Sequence, residues 1–492
     1  MENLILVVFI AYTLLLFLVA HITSRKSSNT TFFTGNRKSP WFVVAYGMIG
    51  ASLSGVTFMS VPGGVYTGQF TYFGIVLGYI IGYAVIALLL LPLYYKLNLT
   101  SIYSYLGIKF GKSSEKTGSL LFIISRLVGS AIRMYLVVFV LYEFVFKAWG
   151  IPFWVPAALF IVLILFYTFK GGIKTVVWTD TLQTTFLLLA AVMTVVIILK
   201  SLNISFAELM SVSTERGYTK LFETDWSHSK FFVKQILSGA FITITMTGLD
   251  QDMMQKNLTC KTLRDAQKNV MTSSFFFVLV NILFMSLGAA LIYYAQETGL
   301  QLPMNENGVV VNDKIFPTVA FSLDKLTSIV FMIGLIAAGY SSADGTLTAL
   351  TTTFCFDFLH FDKNDKISEE QKIRYRKFIH VGFAFLYLLV IIMFRPFHNE
   401  SLIDKIFEIA GYTYGPLLGL YTFGLFVKNR TVNDKYVPVI AISSPIISYI
   451  LNIYSKNIFF GYQFGFEILI VNGLLTFMGL LMISKKLNKI IK

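Results

Sequence analysis

Charge is scarce in this chain. Asp, Glu, Lys and Arg make up 13% of its 492 residues while 55% are hydrophobic, too little polar surface to coat a water-soluble globule. Most of the chain is therefore expected in lipid. Cysteine is scarcer still: Cys260 and Cys355 are the only two, and the topology given below sets both near a reducing cytosol, so no disulfide is expected. The five histidines show no metal-ligand spacing and no Ser, His and Asp share one apolar neighbourhood, which removes the usual grounds for an enzyme. There is no Walker-type phosphate loop, so ATP is not the expected energy source. The net charge of +14 is scattered over short loops instead of forming a basic arm or face, which speaks against nucleic acid as a partner. No low-complexity tract or output module interrupts the apolar pattern, which weakens a reading as a membrane sensor.

What is present is a series of long apolar runs. Thirteen of them lie near 3–22, 41–62, 72–96, 116–146, 152–170, 176–200, 232–254, 271–296, 326–357, 376–396, 402–427, 435–454 and 462–484. Each is roughly 18 residues or longer, enough at about 1.5 Å per residue to cross a ~30 Å hydrocarbon core. Backbone groups in lipid must bond within their own segment, so the expected class is an all-α integral membrane protein of about thirteen transmembrane helices. The first run, Leu4 to Ala20, has no basic residue before it and Arg25 and Lys26 after it, the reverse of a secretory signal's charged leader. It reads as a retained helix with its N-terminus outside a cell membrane. The segments richest in Lys and Arg then fall in the cytoplasm: Arg25, Lys26, Arg37 and Lys38, Lys256 to Lys268, Lys363 to Lys377, and the tail Lys485, Lys486, Lys489 and Lys492, as the positive-inside rule requires. The longest polar connection, Ser201 to Lys230, falls outside, with short amphipathic helices expected in it.

Two runs are interrupted by small and polar residues, Gly50-Ala-Ser-Leu-Ser-Gly-Val-Thr57 in the second and Thr245-Met-Thr-Gly-Leu-Asp-Gln-Asp252 in the seventh. They take equivalent places if runs 2–6 and 7–11 are two five-helix repeats, and an odd number of helices turns the second repeat over in the membrane. Paired broken helices point to a midplane site in inverted-repeat transporters; the alternative is that Gly and Ser only let helices pack closely. The expected organisation is a leading helix and cytoplasmic loop (1–40), a first repeat (41–200), an outer loop (201–231), a second repeat (232–427), and two trailing helices with a basic tail (428–492).

These residues carry a resemblance. Pro40-Trp41 followed by Gly50-Ala-Ser-Leu-Ser-Gly-Val-Thr-Phe-Met-Ser60 resembles the first broken helix of the sodium:solute symporters. Lys170-Gly-Gly-Ile-Lys-Thr-Val-Val-Trp-Thr-Asp180 resembles their Gly-Gly…Trp-Thr-Asp element, and Asp250-Gln251 with Gln255-Lys256 their Gln…Gln-Arg/Lys element. Ala338-Gly-Tyr-Ser-Ser342, leading into Cys355-Phe-Asp357, resembles the helix that closes the sodium site. The resemblance implies a leucine-transporter-like fold, five plus five inverted helices with one leading and two trailing, and Na⁺-coupled symport of a small organic solute by alternating access, in a monomer or weak oligomer. It implies a Na⁺ site from the carbonyls of Gly50, Leu53 and Ala338 and the hydroxyls of Ser341 and Ser342. Na⁺ is a hard cation that needs about five oxygens at roughly 2.4 Å, and positions 338, 341 and 342 share one helical face. The alternative for such a serine pair is back-bonding to the preceding turn. It further implies a second Na⁺ site at Asp180, Ser341, Asp344 and Gly345, with Asp344 standing where two-sodium relatives carry a hydroxyl. Two carboxylates without a cation repel until one takes a proton, so a proton-coupled transporter of the same fold stays open.

For the solute, the first break leaves Ser52, Ser54 and Thr57, hydroxyls suited to neutral or weakly polar groups. The stretch from Leu53 to Pro62 resembles sialic-acid-transporting members, although the position of their carboxylate-binding Arg falls on Gly129 and that of their Gln on Val76. Sugar-transporting members carry carboxylate or amide side chains at the positions of Ser52, Thr57 and Val76, so the site departs from a hexose site. Arg126 and Arg133 are seven residues apart and share one face of the fourth run. A guanidinium inside a membrane helix is a functional candidate, and its fork fits a carboxylate; for Arg126 the alternative is snorkelling to the cytosolic surface. Asp250 and Gln251 complete the candidate solute contacts, with Tyr340, Tyr412 and Tyr414 as further cavity residues. A carboxylate or acidic sugar is among the expected solutes.

Overall fold

The computed structural model describes residues 2–25, 28–226, 228–364, 366–395 and 402–486. Lys26, Lys489 and Lys492, assigned above to cytoplasmic segments, lie outside the described residues. A backbone that has only itself to bond with in hydrocarbon turns the apolar runs into helices. In chain order these are α1 (Glu2–Ser24), α2a (Trp41–Ser52) and α2b (Gly55–Gly68), α3 (Phe73–Lys96), α4 (Lys112–Trp149), α5 (Trp154–Gly171), α6 (Ile173–Leu202), α7a (Phe232–Gly248) and α7b (Gln251–Asn257), α8 (Leu263–Thr298), α9 (Lys325–Phe358), α10 (Glu369–Met393), α11a (Leu402–Thr413) and α11b (Gly415–Phe426), α12 (Asp434–Ile453) and α13 (Ile468–Met482). Among the described residues, nine helices are long and apolar enough to cross a membrane alone, and the bent pairs α2a/α2b and α7a/α7b bring the number to eleven. The remaining two of the thirteen expected runs hold the shorter apolar helices α11b and α13. The eleventh run is itself broken at Tyr414, ahead of Gly415 and Pro416, a break that the sequence reading passed over.

The packing follows the exchange of two five-helix sets. Helix α2 lies on α8 and α7 lies on α3; α6 lies on α9 and α11a on α4; α4 meets α9, and α5 meets α10. Swapping helices 2–6 for 7–11 maps each of these contacts onto another or onto itself. Helix α1 rests on α5, α6 and α9, while α12 and α13 cover α11b. The chain is thus an all-α membrane protein with a five-plus-five core, one leading helix and two trailing ones. The long polar connection after α6 contains the amphipathic helix Phe206–Glu215, started by a capping box in which Ser205 and Glu208 satisfy each other's backbone N–H. A second connecting helix, Asn312–Leu323, was not anticipated, and the three-residue strands Arg430–Val432 and Ser484–Lys486 pair antiparallel to tie the ends of α11b and α13 together. Cys260 and Cys355 are buried free thiols.

Helix α3 packs closely along α7a. Gly74, Gly78 and Gly82 recur every four residues along α3, and a Cβ on Gly78 would run into the carbonyl of Ile236, one on Gly239 into the carbonyl of Ile75. Small residues let backbones approach where lipid gives no hydrophobic drive to associate. Gly78→Ala should therefore lower stability by about 1–3 kcal/mol through overpacking, read as a fall in the thermal unfolding midpoint in detergent. Gly382→Ala, whose added Cβ meets nothing within 4 Å, should leave that midpoint unchanged.

Candidate solute and ion site

The two breaks expected from sequence are where the site is built. Between α2a and α2b the axis bends by 58° and between α7a and α7b by 71°. At the first, Leu53 leaves the helical conformation and Ser54 restarts it, its Oγ accepting from the N–H of Thr57 at 3.4 Å. At the second, a wide π turn over Ile244–Gly248 ends the first half and Asp250 caps the second, accepting from the N–H of Met253 at 3.1 Å. The third break answers the second: the Tyr414 hydroxyl donates to Asp250 Oδ2 at 2.5 Å.

A cavity of about 80 Å³ lies beside the first break, lined by Ser52, Ser54, Thr57, Tyr83, Arg126 and Arg133 together with Thr243, Thr247 and Phe277. Of the expected solute contacts, Ser52, Ser54, Thr57, Arg126 and Arg133 share this cavity, while Asp250 and Gln251 are not among its lining residues. Gln251 is spent on the backbone, accepting from Ile102 N–H at 2.9 Å and donating to the Thr100 carbonyl at 2.8 Å. Tyr340 bonds instead with Thr13 at 3.2 Å, and Tyr412 accepts from Asn452 at 2.7 Å.

The two arginines differ in what they face. Arg126 does not snorkel: it is 4% exposed, ion-paired with Asp252, 3.6 Å from Asp250 Oδ2, and donates from Nε to Thr346 Oγ1 at 3.1 Å. Its charge is answered within the protein. Arg133, on the same face of α4, also lines the cavity but has no hydrogen bond or ion pair among the described residues.

Around the expected ion positions the structure supplies a group that the sequence reading missed. Lys256 is 1% exposed, with Nζ 2.9 Å from Asp180 Oδ2 and 3.5 Å from Asp252 Oδ1, so an ammonium stands against the carboxylate expected to hold the second Na⁺. Gly345 permits this, since a Cβ there would collide with Asp252 and Lys256. The available signal was Asp252 and Lys256 four apart, one helical turn, within an otherwise apolar stretch. Asp344 accepts from Tyr167 Oη at 2.9 Å and from the Gly345 N–H at 2.6 Å, which are partners for an ionised carboxylate. At the first position Ser342 Oγ donates to the Ala338 carbonyl at 2.9 Å, the back-bonding alternative, whereas the Ser341 hydroxyl is buried with no partner. A Cβ on Gly55, just past the first break, would come within 3.9 Å of Ala338, so the break and this face of α9 are neighbours. Asp180, Asp250, Asp252 and Asp344 thus lie buried in one region where, among the described residues, Arg126 and Lys256 are the cations ion-paired with them, and a further cation would relieve their mutual repulsion.

Comparison with known proteins gives three findings. A model of the sodium:solute symporter family matches residues 32–434. A sodium/sialic acid symporter of Aliivibrio fischeri is 26% identical over 464 residues, spanning 93% of this chain and 89% of that protein, and one of Proteus mirabilis is 25% identical over 466 residues, spanning 93% and 91%. The substrate-bound outward-open structure of a Na⁺-coupled sialic acid symporter superposes with a TM-score of 0.82 at 23% identity, covering 98% of this chain and 99% of that one, which establishes the fold.

The charge network makes its own prediction. Arg126→Met strands Asp250 without its cation and leaves Asp252 with Lys256 alone, and should cost about 3–5 kcal/mol, measured by denaturation in detergent. Combining it with Asp252→Asn should recover part of that loss; a single variant as stable as the parent would show that the pair contributes nothing.

Proposed function

Because this chain belongs to the sodium:solute symporter family, we propose that the solute it carries is a carboxylated sugar of the sialic-acid type, held by Arg133. The protein is a multi-pass membrane transporter, not an enzyme, and couples the entry of a small organic solute to Na⁺. The observation that carries the reading of the solute is the contrast between the arginines. A guanidinium left without a counter-charge inside a membrane protein is costly, and a solute carboxylate would bind it through paired charge-assisted hydrogen bonds. Ser52, Ser54 and Thr57 would meet the sugar hydroxyls. The relatives named as sialic acid symporters support the same class of solute.

For the ion, the reading is a Na⁺ site at Gly50, Leu53, Ala338, Ser341 and Ser342. The unpartnered Ser341 hydroxyl supports it, since a buried polar group left bare costs about 1–3 kcal/mol. A second Na⁺ at Asp180, Ser341, Asp344 and Gly345 would have to share Asp180 with Lys256, so it belongs to states in which that ammonium withdraws. Membership of a sodium-coupled family supports Na⁺ over a proton as the coupling ion. The distribution of Lys and Arg supports an N-terminus outside and a C-terminus in the cytoplasm, with the two repeats at 41–200 and 232–427. A monomer or weak oligomer completes this reading.

Proteoliposomes test it. Radiolabelled sialic acid should enter down an inward Na⁺ gradient and stay out when choline replaces Na⁺; uptake in choline would overturn the coupling. Arg133→Gln should weaken solute binding about a hundredfold, the equivalent of roughly 3 kcal/mol, with Na⁺ binding retained. Ser341→Ala should instead raise the half-saturating Na⁺ concentration about tenfold with little change in solute affinity.

A further inference from the structure

A second cavity, of about 270 Å³, lies next to the first at the ends of α2b, α7a, α11a and α13. Tyr72, Ile403 and Phe407 line both cavities and so form the partition between them. By the proposed orientation this is the outer side, and a solute arriving from outside meets this chamber before the inner one.

The chamber contains a built positive site. Lys234 sits one turn into α7a and is 9% exposed; its Nζ has no hydrogen-bond partner and rests 3.8 Å from the centroid of the Tyr462 ring. A desolvated ammonium on an aromatic face keeps some of its electrostatic stabilisation, but its three donors are unused. Lys230 lines the same chamber, with no hydrogen bond or ion pair from its side chain among the described residues, and a Cβ on Gly68 would touch its Nζ. Two carboxylates also line it. Asp404 has interactions within the protein, and Glu467 Oε1 accepts from Tyr462 Oη at 2.8 Å. The chamber's two ammoniums and two carboxylates balance overall, but Lys234 Nζ itself has no hydrogen bond or ion pair among the described residues. The unanswered acceptors are oxygens: Glu467 Oε2 and Asn312 Oδ1 are buried without partners and line the chamber with Ser60, Thr71 and Ser238.

We propose that this chamber is a second binding site for the transported solute, in which Lys234 takes the carboxylate while Glu467 and Asn312 accept hydroxyl or amide donors, holding the molecule outside the Tyr72, Ile403 and Phe407 partition before it passes to Arg133. A bare ammonium beside bare acceptor oxygens matches a molecule carrying both a carboxylate and several O–H or N–H groups. A simple monocarboxylate would leave the acceptors unmet, and a neutral sugar the ammonium. The inference rests on the reading of the solute as a sialic-acid-type sugar.

Equilibrium binding of radiolabelled sialic acid to the purified full chain, alongside Na⁺-driven uptake, tests it. Arg133→Gln should weaken the inner site about a hundredfold and leave the chamber as the tighter of the two; Lys234→Gln added to it should remove that tighter residual binding, and Lys234→Arg added instead should preserve it. In otherwise unaltered protein, Lys234→Gln should raise the KM for uptake about tenfold with kcat little changed. Unfolding midpoints of all variants within a few degrees of the parent would confirm that they fold. Residual binding in Arg133→Gln that is indifferent to Lys234→Gln, or no residual binding at all, would overturn the chamber site while uptake by the parent leaves the solute assignment standing. A parent protein that neither binds nor carries sialic acid would overturn both.

Discussion

Everything in this protein depends on the rule that a peptide group in hydrocarbon must find its partner inside the protein. An unbroken helix obeys it at no cost, which is why the apolar runs fold as they do. A broken helix violates it locally and survives only where the bundle encloses the break. Here the breaks at Leu53, Leu249 and Tyr414 sit in the interior, each with side chains that take over part of the lost bonding: Ser54 caps α2b, Asp250 caps α7b, and Asn472 donates to the carbonyls of Gly411 and Tyr412. The carbonyls freed there are the same groups that a hard cation needs. One constraint thus creates both the structural weakness and a supply of oxygens suited to a hard cation.

Charge follows the same logic. Buried ions are tolerated when paired and hydrogen-bonded, and the central network satisfies this for Arg126 and Lys256 while leaving carboxylates in excess. Two cations stay outside that balance. Arg133 lines the inner cavity and Lys234 the outer one, neither in an ion pair among the described residues. Unpaired cations thus stand in both adjoining cavities.

Much of this was legible in the sequence because it is set by local composition. Apolar length gave the helices to within a few residues for most runs, and the Gly, Ser and Thr clusters marked two of the three breaks. The third went unread because Gly411-Tyr-Thr-Tyr-Gly415-Pro416 lacks a polar cluster of the same kind; it is the approach of Tyr414 to Asp250, 164 residues apart, that makes it a break with a purpose. The helix Asn312–Leu323 escaped for a similar reason, being too short and polar to register as a span.

The sequence by itself determined the medium, the helical class, the order of the spans and the residue types able to bind an ion or an anion, because each of these depends on stretches of some 20 residues meeting lipid. Only the tertiary structure decided which charges are spent. Arg126 and Arg133 are indistinguishable along α4, yet one meets Asp252 from α7b and the other meets none. Lys256 reads as a loop cation until α6 brings Asp180 against it. Pairing between residues far apart in the chain is fixed by packing, and in a low-dielectric interior that pairing is what separates a structural charge from one left for a solute.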